Sequence, residues 1–155
     1  MSSVVISPYA KLMRNGREHP KNYPYWKELV ALMNKDNISV IQIGMSVEPP
    51  LEGITEFKKD LDFSQIKELI KQTDTWISVD TFLQHLCAFY KLKRGIVLWG
   101  QSDPRIFGYS RNINLLKDKI YLRDKQFWWW EQTNFNKDAF VTADKVYTEL
   151  IKILT

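Results

Sequence analysis

The fold is decided by residues 76–99, which read WISVDTFLQHLCAFYKLKRGIVLW. The stretch begins with a short apolar run that ends at Asp80, as a buried strand would. Leu83, Leu86, Cys87 and Tyr90 then recur at helical spacing and predict an amphipathic helix. Residues 96–99 are continuously apolar, as expected for a central parallel strand that is covered on both faces. The stretch therefore predicts a strand–helix–strand unit of a parallel sheet.

The same alternation extends in both directions along the chain. Further strands are predicted at 4–6 and 39–43, with an edge strand at 113–116. Helices are predicted from Pro24 onward, from Asp62 or Ser64 to residue 71, and after Thr142. Residues 8–24, 45–62 and 101–110 are predicted to be loops, and 117–140 an irregular aromatic segment. The whole chain, 1–155, is therefore predicted to be one Rossmann-like α/β domain, a parallel sheet flanked by helices.

Composition excludes several classes of protein. The chain has 155 residues, of which 45% are hydrophobic and 26% charged, enough apolar material for a core. One cysteine, Cys87, excludes an internal disulfide framework. No apolar run approaches the roughly 20 residues of a membrane span, and no secretory signal pattern is present. A cytoplasmic location is expected, in the cytoplasm of a host cell if the gene comes from a bacteriophage.

The positive charge is concentrated at one end. The net charge is +4, and residues 1–35 carry six Lys and Arg against two Glu, whereas the remainder of the chain is balanced. This distribution favours a local anionic partner, such as a phosphate, near the N-terminal loop. A solvated basic loop is the alternative.

Polar residues follow two of the predicted strands, where parallel sheets bind their ligands. Asp80 ends one strand, Thr81 begins a helix whose free N–H groups favour an anion, and His85 lies one turn later on the same face. This arrangement predicts a phosphate site; the alternative is a helix cap with a buried, hydrogen-bonded histidine. After the next strand, Gly100 would let a ligand approach the backbone, and Ser102 or Asp103 would begin a turn.

These two segments together resemble glycosyltransferase family 9, which contains the lipopolysaccharide heptosyltransferases. The donor-binding half of that family carries D-T-G-x-x-H-x-A, then a strand, then G-P-T-D-P. This chain has Asp80, Thr81, Phe82, His85 and Ala88, followed by Gly100, Gln101, Ser102, Asp103 and Pro104. Residues 21–29 are similar to the family segment K-x-W-P-x-x-x-W-x-x-L, shortened by one or two positions. Gly44 and Glu48 are similar to the loop where the family places an acidic residue against the nucleoside.

The resemblance implies the C-terminal, nucleotide-sugar-binding half of a GT-B glycosyltransferase, using an ADP-heptose-like donor and no metal cofactor. Lys21 would then neutralise the donor diphosphate, Glu48 would contact the ribose or base, and Asp80, Thr81 and His85 would line the pyrophosphate and sugar. Arg14 and Arg17 would add to the charge or meet an acceptor. Gly44, Gly100, Ser102 and Asp103 would form the donor loops.

The chain departs from the family pattern in two ways. Phe82 stands where the family has glycine, and its side chain is expected to narrow the approach to the phosphate. The N-terminal acceptor domain, which supplies the catalytic base of the family, is absent from this sequence. A separate acceptor-domain protein, another protomer or a local residue would have to supply the base. Otherwise the chain is a non-catalytic nucleotide-sugar-binding module.

The run Trp128-Trp129-Trp130 is a further candidate site. Three adjacent indoles cannot all face one core, so they predict an acceptor-binding surface, a protomer contact or a nucleic-acid base stack. The alternative is packing of an irregular segment across the sheet edge. With the basic N-terminal segment, the run also motivates a third hypothesis, a phage enzyme that glycosylates DNA bases.

Other motifs are absent or ambiguous. No G-x-G-x-x-G or P-loop pattern occurs, which argues against nicotinamide cofactors and P-loop chemistry. Asp60-Leu61-Asp62 matches a metal-binding D-x-D, but Asp62 precedes a predicted helix and is expected to cap it.

Overall fold

A central strand, β1 (Ser3–Ser7), organises a six-stranded sheet in which every pair is parallel. The structure is a computed structural model and describes residues 1–155. The other strands are β2 (Ser39–Gly44), β3 (Glu56–Lys59), β4 (Thr75–Val79), β5 (Ile96–Trp99) and β6 (Ile113–Leu116). Their order across the sheet is β3-β2-β1-β4-β5-β6. The predicted α/β class and parallel sheet are confirmed.

Helices cover both faces of the sheet. They are α1 (Trp26–Lys35), α2 (Phe63–Gln72), α3 (Phe82–Phe89), the short α4 (Pro104–Phe107) and α5 (Ala143–Leu154). α1 and α5 pack on one face and α2 and α3 on the other. Three single 3-10 turns lie between β6 and α5, at Lys119–Tyr121, Trp130–Gln132 and Lys137–Ala139. None of the five α-helices combines the length and apolarity that crossing a membrane requires.

Burial on both faces explains the continuous apolar runs of the central strands. Val4 and Ile6 point into the cluster under α1 and α5, whereas Val5 between them points into the cluster under α2 and α3. All three side chains are fully buried. Each contributes roughly 1.5–3 kcal/mol of burial free energy, so these short strands are strongly specified.

The prediction that residues 45–62 form a loop is wrong in part. Residues 56–59 form β3, which pairs with β2 and is one edge of the sheet. Three of its four residues are charged, so it shows neither an apolar run nor a clean alternation. Charged side chains are typical of edge strands, because they discourage pairing with a second molecule.

The link from β2 to β3 crosses the sheet without a helix. Gln42 in β2 is fully buried, accepts a hydrogen bond from the Leu51 N–H at 2.8 Å and donates to the Pro49 carbonyl at 3.1 Å. The link is therefore ordered by one buried amide.

The two aspartates of the D-x-D segment, Asp60 and Asp62, accept hydrogen bonds from backbone N–H groups. Asp62 caps α2 through a reciprocal capping box with Gln65, as expected from the sequence. Asp60 accepts a hydrogen bond from the Ser46 N–H at 2.9 Å. Asp62 thus stabilises the start of α2, and Asp60 stabilises the loop after β2.

Gly100 follows β5 and is required by packing. A Cβ atom there would lie 2.5 Å from the ring of Phe140, which is almost fully buried. The group that approaches the Gly100 backbone closely is therefore the Phe140 ring, which lies in the segment before α5.

Replacing Gly100 with alanine should lower the free energy of unfolding by about 1–3 kcal/mol, because the Phe140 ring must move. Chemical denaturation of the wild type, Gly100→Ala, Phe140→Leu and the double variant measures this. The two changes should be less than additive, because leucine removes the ring atoms that clash. Full additivity would contradict this packing role.

Candidate functional site

The strand order reverses at β1, whose neighbours β2 and β4 lie on opposite sides. In a doubly wound sheet this reversal opens a crevice outside the carboxyl ends of the strands. The loop after β1 carries Lys21, and Asp80 follows β4. The Lys21 ammonium nitrogen lies 3.2 Å from a carboxylate oxygen of Asp80. The two candidates that the sequence placed on separate segments therefore meet in an ion pair.

Asp80 is held from two sides. Its second oxygen accepts a hydrogen bond at 2.8 Å from the side-chain amide of Gln84, one turn into α3. Gln84 is fully buried, and the side chain of Asp80 is only 9% exposed. A carboxylate so placed is stabilised by its partners, because desolvation disfavours an unpaired charge. The sequence pattern did not single out Gln84, although this residue lies between Asp80 and His85.

The loop that carries Lys21 is fixed by its neighbours. The Asn22 side chain accepts a hydrogen bond from the Ala10 N–H at 2.8 Å, and the Tyr23 hydroxyl donates to the Val141 carbonyl at 2.8 Å. Both side chains are buried. Lys21 therefore lies on an anchored segment of an otherwise long loop.

A cleft of about 250 Å³ opens beside the ion pair. Its polar side is formed by Lys21, Asp80, Ser102 and Gln126, and its aromatic side by Phe107, Phe127, Trp128 and Trp130. Binding sites for small molecules commonly measure about 300–1,000 Å³. The cleft therefore has room for part of a nucleotide-sized ligand, with the remainder on the open edge of the sheet.

Residues 123–132, here called the aromatic segment, supply most of the aromatic side. Gln126 joins it to the loop after β5, accepting from the Asp103 N–H and donating to the Gln101 carbonyl, each at 2.9 Å. The Arg123 guanidinium donates to the Trp128 carbonyl at 2.7 Å and lies 3.9 Å from the centre of the Trp130 ring. Burial lowers the pKa of Arg123 below its usual value.

Arg14 and Arg17 lie against the aromatic segment and do not line the cleft. Arg14 pairs with the Glu131 carboxylate at 2.8 Å and lies 4.3 Å from the centre of the Trp129 ring. Arg17 donates to the Glu131 carbonyl at 2.9 Å. The hydrogen bond from Arg14 lowers the pKa of Glu131 to about 2. The two arginines thus tie the N-terminal loop to the aromatic segment.

His19 lies between Lys21 and the aromatic segment. Its Nδ1 accepts a hydrogen bond from the Lys21 N–H at 3.1 Å, and its ring centre lies 4.9 Å from that of Trp130. Burial, and then the charges of Lys21 and Arg123, lower the pKa of His19 to about 4. The imidazole is therefore neutral at pH 7. Its position was not recognised from the sequence.

Thr81 and His85 lie on α3 but outside the cleft lining. Thr81 is the N-cap residue, and its side chain makes no capping hydrogen bond. The alternative of a buried histidine is wrong, because His85 is exposed and its Nδ1 lies 2.8 Å from the Tyr109 hydroxyl. Phe82 stacks on Phe63, with ring centres 6.0 Å apart, and does not line the cleft. The effect of Phe82 on the approach of a phosphate to the start of α3 stays a prediction.

Of the three remaining candidate side chains, one lines the cleft and two form hydrogen bonds within their own loops. Ser102 is almost fully buried and lines the cleft, whereas Asp103 caps α4 and pairs with Arg105 at 2.8 Å. The hydrogen bond from Arg105 lowers the pKa of Asp103. Glu48 folds over Gly44 at the end of β2 and accepts from the Met45 N–H at 2.5 Å. Glu48 and Asp103 therefore both stabilise the loops that carry them.

Solved structures share this fold. A family 9 glycosyltransferase from Veillonella parvula superimposes with a TM-score of 0.73 at 12% identity, covering 99% of this chain and 46% of its own. The dodecameric glycosyltransferase TibC from enterotoxigenic E. coli gives 0.72 at 14% identity, with 99% and 46% covered. E. coli heptosyltransferase WaaC, solved with ADP, gives 0.65 at 16% identity, with 98% and 44% covered.

The chain has the GT-B-type fold of these glycosyltransferases. It spans less than half the length of each of them. No protein-family model matches the chain, and no curated protein matches it significantly by sequence. TibC is described as iron-containing and has also been solved with ADP-D-β-D-heptose. In this chain no three His, Cys, Asp or Glu side chains lie together as metal ligands, so its residues do not fit such a site.

The burial of Asp80 predicts a difference between two substitutions. Asp80→Ala removes the partner of both Lys21 and the buried Gln84 amide, and should lower the free energy of unfolding by about 1–3 kcal/mol. Asp80→Asn keeps an oxygen for Gln84 and should lose less. Urea denaturation of both variants measures this, and equal losses would show that the Gln84 hydrogen bond is unimportant.

Neutral His19 predicts a pH dependence of stability. Its pKa is about 4 in the folded chain against 6.5 for an unperturbed histidine, so the unfolded chain binds the proton more readily. The stability that this group contributes is complete above pH 6.5 and is lost as the pH falls toward 4. The loss should amount to about 1–3 kcal/mol.

Denaturation of wild type and His19→Gln at pH 7.5 and pH 4.5 isolates this effect. Glutamine can still accept from the Lys21 N–H but does not titrate. The wild type should therefore lose more stability than the variant on acidification. Parallel losses in the two proteins would contradict the burial of a neutral imidazole.

Proposed function

We propose that this chain binds a nucleotide-diphosphate sugar and acts as the donor-binding part of a glycosyltransferase, with an ADP-heptose-like donor. The observation that carries the proposal is the Lys21–Asp80 ion pair, 3.2 Å long, beside a cleft at the carboxyl edge of the sheet. The fold is that of glycosyltransferases, of which WaaC was solved with ADP and TibC with ADP-D-β-D-heptose.

Lys21 supplies the charge that the leaving group requires. In transfer, a bond forms between the acceptor oxygen and the anomeric carbon while the bond from that carbon to the diphosphate oxygen breaks. Negative charge then develops on the nucleoside diphosphate. An ammonium held close to that position stabilises the charge once it turns from Asp80 toward the phosphate. The uncapped N–H groups at the start of α3 act in the same sense.

Asp80 fits the opposite role, as an acceptor of hydrogen bonds from donor hydroxyl groups. Its two oxygens are oriented by Lys21 and Gln84, so the carboxylate is preorganised before a ligand arrives. When Lys21 turns toward the phosphate, one oxygen of Asp80 becomes free for a hydroxyl. The ion pair therefore holds both Lys21 and Asp80 close to the positions in which they would bind the donor.

The groups that act on the acceptor are assigned to a partner. We assign this chain the donor side only, because the Lys21–Asp80 pair lines its cleft. The base that takes the acceptor proton would come from a second protomer, as in an assembly, or from a separate acceptor-domain protein. TibC is dodecameric, which is consistent with the first arrangement.

Binding without turnover is the competing function. A thermal-shift screen against ADP, UDP, GDP, CMP and dTDP and their sugars tests donor binding. A ligand at about 100 times its Kd adds roughly 2.7 kcal/mol of stability. A shift with one nucleotide class supports the proposal, and none with any of them contradicts it. Release of the free nucleotide in the presence of acceptor then distinguishes a transferase from a binding module.

Lys21→Ala should weaken binding of the nucleoside diphosphate about 10- to 100-fold, because a charge-assisted contact contributes roughly 1.5–3 kcal/mol. Titration calorimetry with the nucleotide found in the screen measures this. Lys27→Ala is the matched control, since it removes the same charge from an exposed position on α1. Equal weakening by both variants would indicate a diffuse charge effect and contradict the site.

A further inference from the structure

The aromatic side of the cleft is exposed. Trp128 is 50% exposed and Phe127 is 79% exposed, and both line the cleft that Asp80 also lines. Large apolar rings that remain exposed next to polar groups commonly mark a binding surface. The sheet does not need these rings, since its two cores are complete without them.

The Trp128 ring is held in place. Its indole N–H donates to the Gln132 side chain at 2.8 Å, and its carbonyl accepts from Arg123 at 2.7 Å. Phe127 meets Phe107 edge to face, with ring centres 5.4 Å apart. The Lys125 ammonium nitrogen lies 5.1 Å from the centre of the Trp128 ring, so a ligand would stack on the remaining exposed part of this half-exposed ring. The aromatic side is therefore a preorganised surface.

The cleft is also lined by a carboxylate and a hydroxyl. Asp80 is an acceptor for hydroxyl groups, and Ser102 can donate or accept. A pyranose has an apolar face of C–H groups and a rim of hydroxyls, which match an aromatic face and a carboxylate respectively. The cleft, about 250 Å³, suits a single ring better than a whole nucleotide.

We propose that Trp128 and Phe127, together with Asp80 and Ser102 of the same cleft, form a subsite for a pyranose ring that stacks on Trp128. This inference rests on the proposed function, because Lys21 marks the phosphate end of the same cleft. The ring belongs either to the nucleotide donor or to a sugar of the acceptor. Both sources present the same chemistry to the aromatic surface.

The test compares matched ligand pairs on matched variants. ADP with ADP-heptose, UDP with UDP-glucose and GDP with GDP-mannose are titrated into the wild type, Trp128→Ala and Trp129→Ala. Trp129 is the control because its ring faces Arg14 and does not line the cleft. Trp128→Ala should weaken the sugar nucleotide about tenfold while leaving the diphosphate unchanged, and Trp129→Ala should change neither.

A second arm tests the acceptor as the source. Binding of a panel of free heptose, hexoses and oligosaccharides is measured by saturation-transfer NMR on the same proteins. Loss of a glycan signal in Trp128→Ala alone would assign the subsite to the acceptor. Trp128→Leu keeps the apolar volume without a ring face and should behave as Trp128→Ala, and near-UV circular dichroism checks the fold of each variant.

The outcomes separate this subsite from the nucleotide site. If no nucleotide binds the wild type, the proposed function fails, while the glycan arm still decides the subsite. If a nucleotide binds but Trp128→Ala matches the wild type in both arms, the subsite is wrong and the nucleotide site stands. Equal losses for Trp128→Ala and Trp129→Ala would also overturn the subsite.

Discussion

The pairing of β1 on both sides positions everything else in the molecule. β2 and β4 flank this five-residue strand, and its side chains are buried in the cores of both faces. A strand so placed must end in a crevice, because the chain leaves in opposite directions on its two sides. Lys21 and Asp80 meet there because each follows one of two adjacent strands. The position of the candidate site is therefore a consequence of strand order.

Two ion pairs near the cleft differ in how far they are exposed to solvent. The Lys21–Asp80 pair is largely removed from solvent, so each partner protects the other from the cost of desolvation. Arg14, in contrast, is exposed to solvent. Its ion pair with Glu131 therefore adds little electrostatic stabilisation and mainly sets the relative position of the two side chains. The first pair suits an exchange of partners with an incoming anion. The second fixes the aromatic segment beside it.

The sequence predicted those parts of the fold that local patterns encode. The runs that form β1, β2, β4 and β5 are largely apolar because they are buried, so each was recognisable. Of the two edge strands, β6 is partly buried and mostly apolar and was recognisable, whereas β3 is charged and was not. Lys21 and Asp80 were predicted from their places after strands. The partner of Arg14, Glu131, is 117 residues away, and no local pattern carries such a contact. A glycine after a strand also gives the same sequence signal in two different cases. The space beside it can be filled by a ligand or by a core ring, as the Phe140 ring does at Gly100.

The distance in sequence between Arg14 and Glu131 has a consequence for how the chain matures. Lys21 and Trp128, which line the same cleft, lie far apart in the sequence, and the loop that carries Lys21 is synthesised first. Until Glu131 and the aromatic segment leave the ribosome, Arg14 and Arg17 have none of the partners that they contact in the folded chain. Because the contact between Arg14 and Glu131 closes a loop of 117 residues, completing this side of the cleft carries the entropic cost of closing a long loop.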